Sequence, residues 1–282
     1  MKLSSMAGLR SKLLTTAGVC VGMLALSVPA SADTMFSVQY FEVTTASNTT
    51  TNPHQSDFFP GGVPTGTVSN NYLTGALSGG MPVYNSLETG AAGANDVSGG
   101  GVLEWWTPGT YGANTVASTG SGLLTVSSDS THPTEMFPPN STGGGNQGAN
   151  CVAPLSTAAN CEETAILTGT FNLLSPTTEN FSVFADDDAF VFLSGGTLSS
   201  PVLIEDEGGI HGLAAGPTSS MLLGPGNYTI TIFYADQDQV QAQLAFDNGG
   251  IPVSATPEPG SLALLGTGVL GLAGAVRRRM KR

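Results

Sequence analysis

The chain has 282 residues, 38 of them glycine, and a formal net charge of −13 at pH 7. Its eight basic residues are Lys2, Arg10, Lys12, Arg277, Arg278, Arg279, Lys281 and Arg282, so residues 33–256 hold 20 acids, no Lys or Arg, and a formal charge of −20. That excludes nucleic-acid binding, which needs cations to displace phosphate counterions, and also a P-loop lysine, a Schiff base or an arginine clamp on an anion.

Lys2, Arg10 and Lys12 precede an apolar run from Leu13 to Val28, and Ala30-Ser31-Ala32 follows as a small-residue cleavage site. Residues 1–32 therefore read as a signal peptide with a short apolar helix, cut between Ala32 and Asp33. Cys20 lies inside the apolar run and leaves with it.

The body, residues 33–255, shows no long 3.6-residue period, and short alternating runs bounded by turn residues recur instead. Strands are predicted at Phe36–Val43, Leu123–Ser127, Ile166–Leu173, Phe181–Phe184, Phe190–Leu193, Val202–Ile204, Tyr228–Tyr234 and Gln241–Phe246. In the Tyr228 strand, Tyr228, Ile230, Ile232 and Tyr234 share one face, and Thr229, Thr231 and Phe233 share the other. The expected fold is an all-β, antiparallel β-sandwich with long loops. From Thr44 to Asn160 the chain is rich in Gly, Ser, Thr and Asn, yet carries Phe58-Phe59-Pro60, Pro82-Val83-Tyr84-Asn85, Glu104-Trp105-Trp106 and Met136-Phe137. Those aromatics read as core anchors on loops threaded through one domain. On a strand, Trp105 and Trp106 cannot both face inward, so one is core and the other a candidate sugar-stacking platform. Cys151 and Cys161 close a short loop in an exported chain, and a disulfide contributing ~2–3 kcal/mol is expected.

Three acidic groups follow at strand ends: Asp186-Asp187-Asp188, Glu205-Asp206-Glu207 and Asp236. Carboxylates gathered at one end of a sandwich offer hard oxygen ligands for calcium. Asp186, Asp187, Asp188, Asp206 and Asp236 are the candidate metal ligands. The competing reading for the aspartate run is a solvated or backbone-capping turn, and Asp206 and Glu207 read first as a solvated loop. His211 reads as a hydrogen-bonding turn residue rather than a ligand or base. No G-x-S-x-G or H-E-x-x-H occurs, and no carboxylate pair is singled out, so a binding protein is expected and not an enzyme; a glycoside hydrolase is the enzymatic alternative.

The chain ends in Thr256-Pro257-Glu258-Pro259-Gly260, an uncharged apolar run from Ser261 to Val276, and the basic cluster. Sixteen helical residues rise roughly 24 Å, just short of a ~30 Å hydrocarbon core. A transmembrane helix is expected at 260–276, its basic end cytoplasmic. Residues 256–282 resemble the PEP-CTERM sorting signal of Gram-negative, exopolysaccharide-producing bacteria. The resemblance implies export through the inner membrane, transient anchoring there by the C-terminal helix, and cleavage by an exosortase-type enzyme near Pro257, Glu258 and Pro259. An ordinary single-pass tail anchor is the other reading of the same residues.

The body also resembles a family. His54-Gln55-Ser56-Asp57-Phe58-Phe59-Pro60, the Glu104-Trp105-Trp106 segment, Asp186-Asp187-Asp188 with Phe192, Gly208-Gly209-Ile210-His211 and Phe233-Tyr234-Ala235 occur in the order of the fibro-slime domain. That domain is related to the carbohydrate-binding sandwich of protective antigen and the flocculins, and the likeness runs from about Phe36 to Phe246. It implies that Asp187 and Asp188, with Asp186 beside them, hold calcium that bridges sugar hydroxyls. Ala189-Phe190 stands where the family has a Trp, Glu207 where it has an Asp, and Asp236-Gln237 where it has Glu-Arg, which removes an ionic partner from Asp236. The expectation is an exported cell-surface or matrix protein that binds extracellular polysaccharide with calcium, the alternative being a structural matrix component with no discrete ligand site.

Overall fold

The computed structural model describes residues 34–44, 70–85, 101–111, 114–136, 161–209, 211–236 and 242–255. The signal peptide with the Ala32–Asp33 junction, Phe58-Phe59, Cys151, and the sorting tail with its helix lie outside the described residues. Cys161 opens a strand, and its proposed pairing with Cys151 falls outside for the same reason.

Among the described residues every regular element is a strand. In chain order these are β1 (Thr34–Thr44), β2 (Leu73–Ser78), β3 (Met81–Tyr84), β4 (Gly109–Tyr111), β5 (Asn114–Val126), β6 (Thr134–Glu135), β7 (Cys161–Leu173) and β8 (Thr177–Asp186). There follow β9 (Asp188–Gly195), β10 (Val202–Glu207), β11 (Ala214–Ala215), β12 (Ser219–Leu223), β13 (Gly226–Asp236), β14 (Gln243–Asp247) and β15 (Ser254–Ala255). The larger sheet runs β10-β9-β13-β7-β1-β5-β4, with β15 also on β7; the smaller runs β11-β8-β14-β6, with β12 also on β8. All the strand pairs within these sheets are antiparallel.

Alternation along β13 explains the layering. Tyr228, Ile230, Ile232 and Tyr234 point inward and meet Phe181, Val183, Leu244 and Phe246 of the smaller sheet. Phe233 and Ala235 point outward, where they meet Phe190 and Phe192 of β9 and Phe41 and Val43 of β1. This outer face is also buried, which is why β9 is apolar on both sides. Its cover is the β2–β3 hairpin and the 101–108 segment, contributing Tyr72, Leu73, Tyr84, Leu103, Trp105 and Trp106. The described residues therefore form two cores separated by one sheet.

The two tryptophans correct the stacking-platform expectation. Trp105 and Trp106 are each 1 % exposed. They sit on a turn closed by the Thr107 N–H donating to the Glu104 carbonyl, so strand alternation does not apply and both rings enter the outer core. Trp106 packs edge-on to Phe233 and donates its Nε1–H to the Tyr234 carbonyl at 2.9 Å. Neither ring offers a face to a sugar.

The acidic segment expected as a solvated loop is also different. Glu205, Asp206 and Glu207 are strand residues of β10, and all three are buried. The register shifts between Leu203 and Glu205, so Ile204 and Glu205 together oppose a single partner, Val191. That bulge resets the alternation. Leu203 and Asp206 face the outer core, while Glu205 and Glu207 face the interior between the sheets.

Candidate functional site

Asp186 ends β8 and Asp188 begins β9, and these strands belong to different sheets. The aspartate run is thus the crossover from one layer to the other, with the Asp186–Asp187 peptide in the cis form. The three side chains are not solvated: Asp186 is 6 % exposed, and Asp187 and Asp188 are fully buried.

Backbone donors from one turn hold two of them. Gly209 N–H donates to Asp188 Oδ1 at 2.7 Å, and His211 N–H donates to Asp187 Oδ1 at 2.8 Å. Gly209 has φ +111°, a conformation open to glycine and costly for other residues. Gly208 matters for space: a Cβ there would lie 2.6 Å from the ring of Tyr72. The Gly208-Gly209 pair is therefore what lets this turn pass between Tyr72 and the aspartates.

Asp236, the last residue of β13, joins the group from the next strand and is likewise buried. At the centre stands Tyr234, wholly buried, whose hydroxyl donates to the Asp186 carbonyl oxygen. Burial first, then the charges of Asp236, Asp187, Asp186 and Asp188, push the Tyr234 phenol well above its ordinary value. Asp206 stands apart from these four. Its Oδ2 accepts the Leu73 N–H at 3.0 Å, which fastens β2 to β10 on the outer face.

A second acidic layer lies behind the first. Burial pushes Glu207 up to about 10 and Glu205 to about 7, with the charges of Asp188 and Glu205 also raising Glu207. Both groups are protonated through most or all of the acid-to-neutral range. His211 Nε2 is 4.0 Å from Glu207 Oε1, and burial lowers the imidazole pKa, so His211 adds no positive charge here. As expected, His211 is a turn residue; its Nδ1 is 3.0 Å from the Gly212 carbonyl oxygen.

Asp187 and Asp188 accept backbone N–H bonds, which favour the charged form of a carboxylate. Calcium suits such donors, since it takes oxygen ligands from carboxylates, carbonyls and water. Among the described residues no three His, Cys, Asp or Glu side chains converge into a complete metal cage.

What the sequence alone does not reveal is the part played by Tyr234, Glu205 and Glu207. Tyr234 was visible as an inward strand residue, but its reach across to β8 depends on sheet packing. The glutamates are turned inward by the β10 bulge, and the four letters Ile204-Glu205-Asp206-Glu207 carry no mark of it.

Residues 255–279 match the model of the PEP-CTERM protein-sorting motif. The chain thus carries a signal for export and sorting, which associates its tail with the membrane and marks it for an exosortase-type processing enzyme. Among curated proteins no significant match is found. Among solved structures, similarity is found to a β-glucosidase from Kluyveromyces marxianus in complex with glucose, at 16 % identity and TM-score 0.25, covering 31 % of this chain and 10 % of that one. It is found to the PA14 domain of the antifreeze protein MpAFP, at 20 % identity and TM-score 0.24, covering 37 % and 63 %. It is also found to the PA14 sugar-binding domain from an RTX adhesin, at 22 % identity and TM-score 0.22, covering 40 % and 67 %. This chain spans a tenth of the first of these and less than two thirds of the second.

Proposed function

We propose that the exported body is a calcium-assisted binding module for neutral, hydroxyl-rich polysaccharide at the cell surface or in the extracellular matrix of a Gram-negative bacterium. One observation carries the reading. Asp186, Asp187, Asp188 and Asp236, none more than 6 % exposed, surround Tyr234 in a body that contains no Lys or Arg. Burying ionised carboxylates costs several kcal/mol each, and a bound divalent cation offsets that cost.

Bound at this site, Ca²⁺ would supply positive charge and coordination positions for hydroxyl oxygens. Asp187 and Asp188 would hold it, their carboxylates oriented by the N–H groups of His211 and Gly209. Calcium accepts about six to eight oxygens, so two aspartates leave most positions to backbone carbonyls, water and ligand hydroxyls. Tyr234 fixes the crossover by bonding to the Asp186 carbonyl, and Gly208-Gly209 keeps the turn close. An anionic polymer would be repelled by a body of charge −20, which leaves neutral chains as the fitting class. The signal peptide sends this module across the inner membrane, and the sorting tail anchors it there until its removal near Pro257-Glu258-Pro259.

The reading is tested by melting the body in excess Ca²⁺ and in chelator. A Ca²⁺-dependent rise in melting temperature is expected, and identical melts would refute the calcium site.

A further inference from the structure

The larger sheet has two unlike ends. At one, Asp236 pairs with Glu163 and Asp188 with Ala235, beside the aspartate site. At the other, Gly226 pairs with Leu173, and the chain turns into β8. Between these ends Leu123, Ser37, Thr168, Thr231, Phe192 and Leu203 form one row across the sheet. From that row to the Leu173 end, the sheet and its connections at 174–176, 196–201 and 224–225 contain no Asp or Glu. On the smaller sheet Glu179 is buried, and the exposed Asp247 stands opposite Ser182, five residues along β8 from Thr177. The large apolar side chains exposed among the described residues gather at this charge-poor end. Leu174, 91 % exposed, follows Leu173, and Leu222, 72 % exposed, lies four residues before Gly226. Met35 and Leu123, also exposed, lie in the same part of β1 and β5.

We propose that this end is a membrane-contact surface. While the sorting tail anchors the chain, Leu174 and Leu222 rest in the lipid headgroup layer and the aspartate end points away. The proposal rests on anchoring by the tail and does not depend on the calcium reading.

The place where the tail leaves the body argues for it. β15 ends at Ala255, paired with Gly169, and the apolar run begins at Ser261. The five residues between them span at most about 18 Å when fully extended. From Gly169 the Leu173 end is four residues along β7, roughly 13 Å, and within that reach. The Glu163 end is six residues the other way, roughly 20 Å, and beyond it. An anchored body can therefore set its Leu173 end on the membrane but cannot stand on its aspartate end. Charge points the same way. Anionic lipid headgroups repel carboxylates, and the larger sheet has none at the Leu173 end. Leucines exposed on an uncharged surface suit the boundary between headgroups and acyl chains, where their burial is favourable.

The test uses the exported chain with its tail intact, reconstituted in phosphatidylcholine vesicles with brominated or ordinary acyl chains. Bromine quenches tryptophan at contact distance. Trp105 and Trp106 are buried, so the unaltered chain supplies the background. Leu174→Trp and Leu222→Trp each place a third indole at the proposed contact. Thr110→Trp places one at the opposite end, where Thr110 is exposed and aligned through Thr115 and Thr44 with Cys161. Brominated lipid should remove roughly a third or more of the emission added at Leu174 and Leu222, and leave that at Thr110 unchanged. Absence of quenching at Leu174 or Leu222 in chains that float with the vesicles, or equal quenching at Thr110, would overturn the contact surface and leave tail anchoring intact. Failure of the chain to float with the vesicles would overturn the anchoring and this surface together.

Discussion

His211 donates its backbone N–H to Oδ1 of Asp187 at 2.8 Å, tying the glycine turn to the crossover between the two sheets. This bond distinguishes the carboxylate's structural role from its charge. Asp187→Asn keeps an oxygen acceptor for the N–H, so the fold should hold to within about 1 kcal/mol, while the response to Ca²⁺ disappears. Asp187→Ala removes the acceptor as well and should cost a further 1–3 kcal/mol or so. Thermal melts of both variants with and without Ca²⁺ check this. A full Ca²⁺ shift in Asp187→Asn would show that the aspartate's charge plays no part.

Glu207 gives a pH dependence with a definite sign. Its folded value, about 10, lies above the ordinary 4.5 of the unfolded chain. Between the two the folded state holds a proton that the unfolded state has lost. Stability from this group is therefore fully present below pH 4.5 and falls as pH rises, by about 1.4 kcal/mol per unit. Glu205, raised to about 7, adds a second loss that ends near neutrality. Urea unfolding from pH 5 to 9 should show a stability that declines throughout, more steeply below pH 7. Glu207→Gln should remove about one proton from that dependence, and an unchanged slope would contradict a protonated Glu207.

Trp106 is predicted to be a stability residue. Trp106→Phe keeps most of the packing on Phe233 but loses the bond to the Tyr234 carbonyl, for a cost of about 1 kcal/mol. Trp106→Ala should cost about 3–5 kcal/mol. Because both indoles are buried, the native emission should be that of a dry environment and should not respond directly to added sugar. A sugar-dependent shift in their emission without a change in stability would restore the platform idea.

The strand that leads into the sorting tail has its own seat. β15 pairs with Thr170 and Gly169 of β7, and a Cβ at Gly169 would fall 2.4 Å from Val253 Cγ1 and 2.9 Å from the Phe36 ring. Gly169→Ala should therefore cost about 1–3 kcal/mol through overpacking, and should expose residues 250–256 to limited proteolysis. Unchanged cleavage and stability would mean that this seat is not needed to hold the end of the body.

Much of the sandwich was legible because its strands obey the two-residue period. β13 divides its faces as the order Tyr228, Thr229, Ile230 and onward demands, and β1, β7 and β9 were recognised from apolar runs between turn residues. The strands not foreseen are of two kinds. β2, β3 and β4 are short pieces inside a Gly- and Ser-rich stretch, and they become strands only by covering the outer core. β6, β11, β12 and β15 are short segments whose pairing on β14, β8 or β7 the local sequence does not specify. At the site, the Asp186-Asp187-Asp188 run announced itself by composition. Its burial did not, because burial there comes from a crossover between sheets and a turn 21 to 24 residues further along the chain. Asp206 looked like one more carboxylate of the same kind, and a single bulge in β10 set it facing the outer core.

The central claim is that the buried aspartates hold a cation through which the body retains a neutral polysaccharide. It is tested most directly by affinity electrophoresis through gels containing neutral glucan or galactomannan, in Ca²⁺ and in chelator, with wild-type chain and Asp187→Asn side by side. Retardation of the wild type in Ca²⁺ alone, and of the variant in neither condition, is the predicted result. Equal retardation of both proteins whether or not Ca²⁺ is present would contradict it.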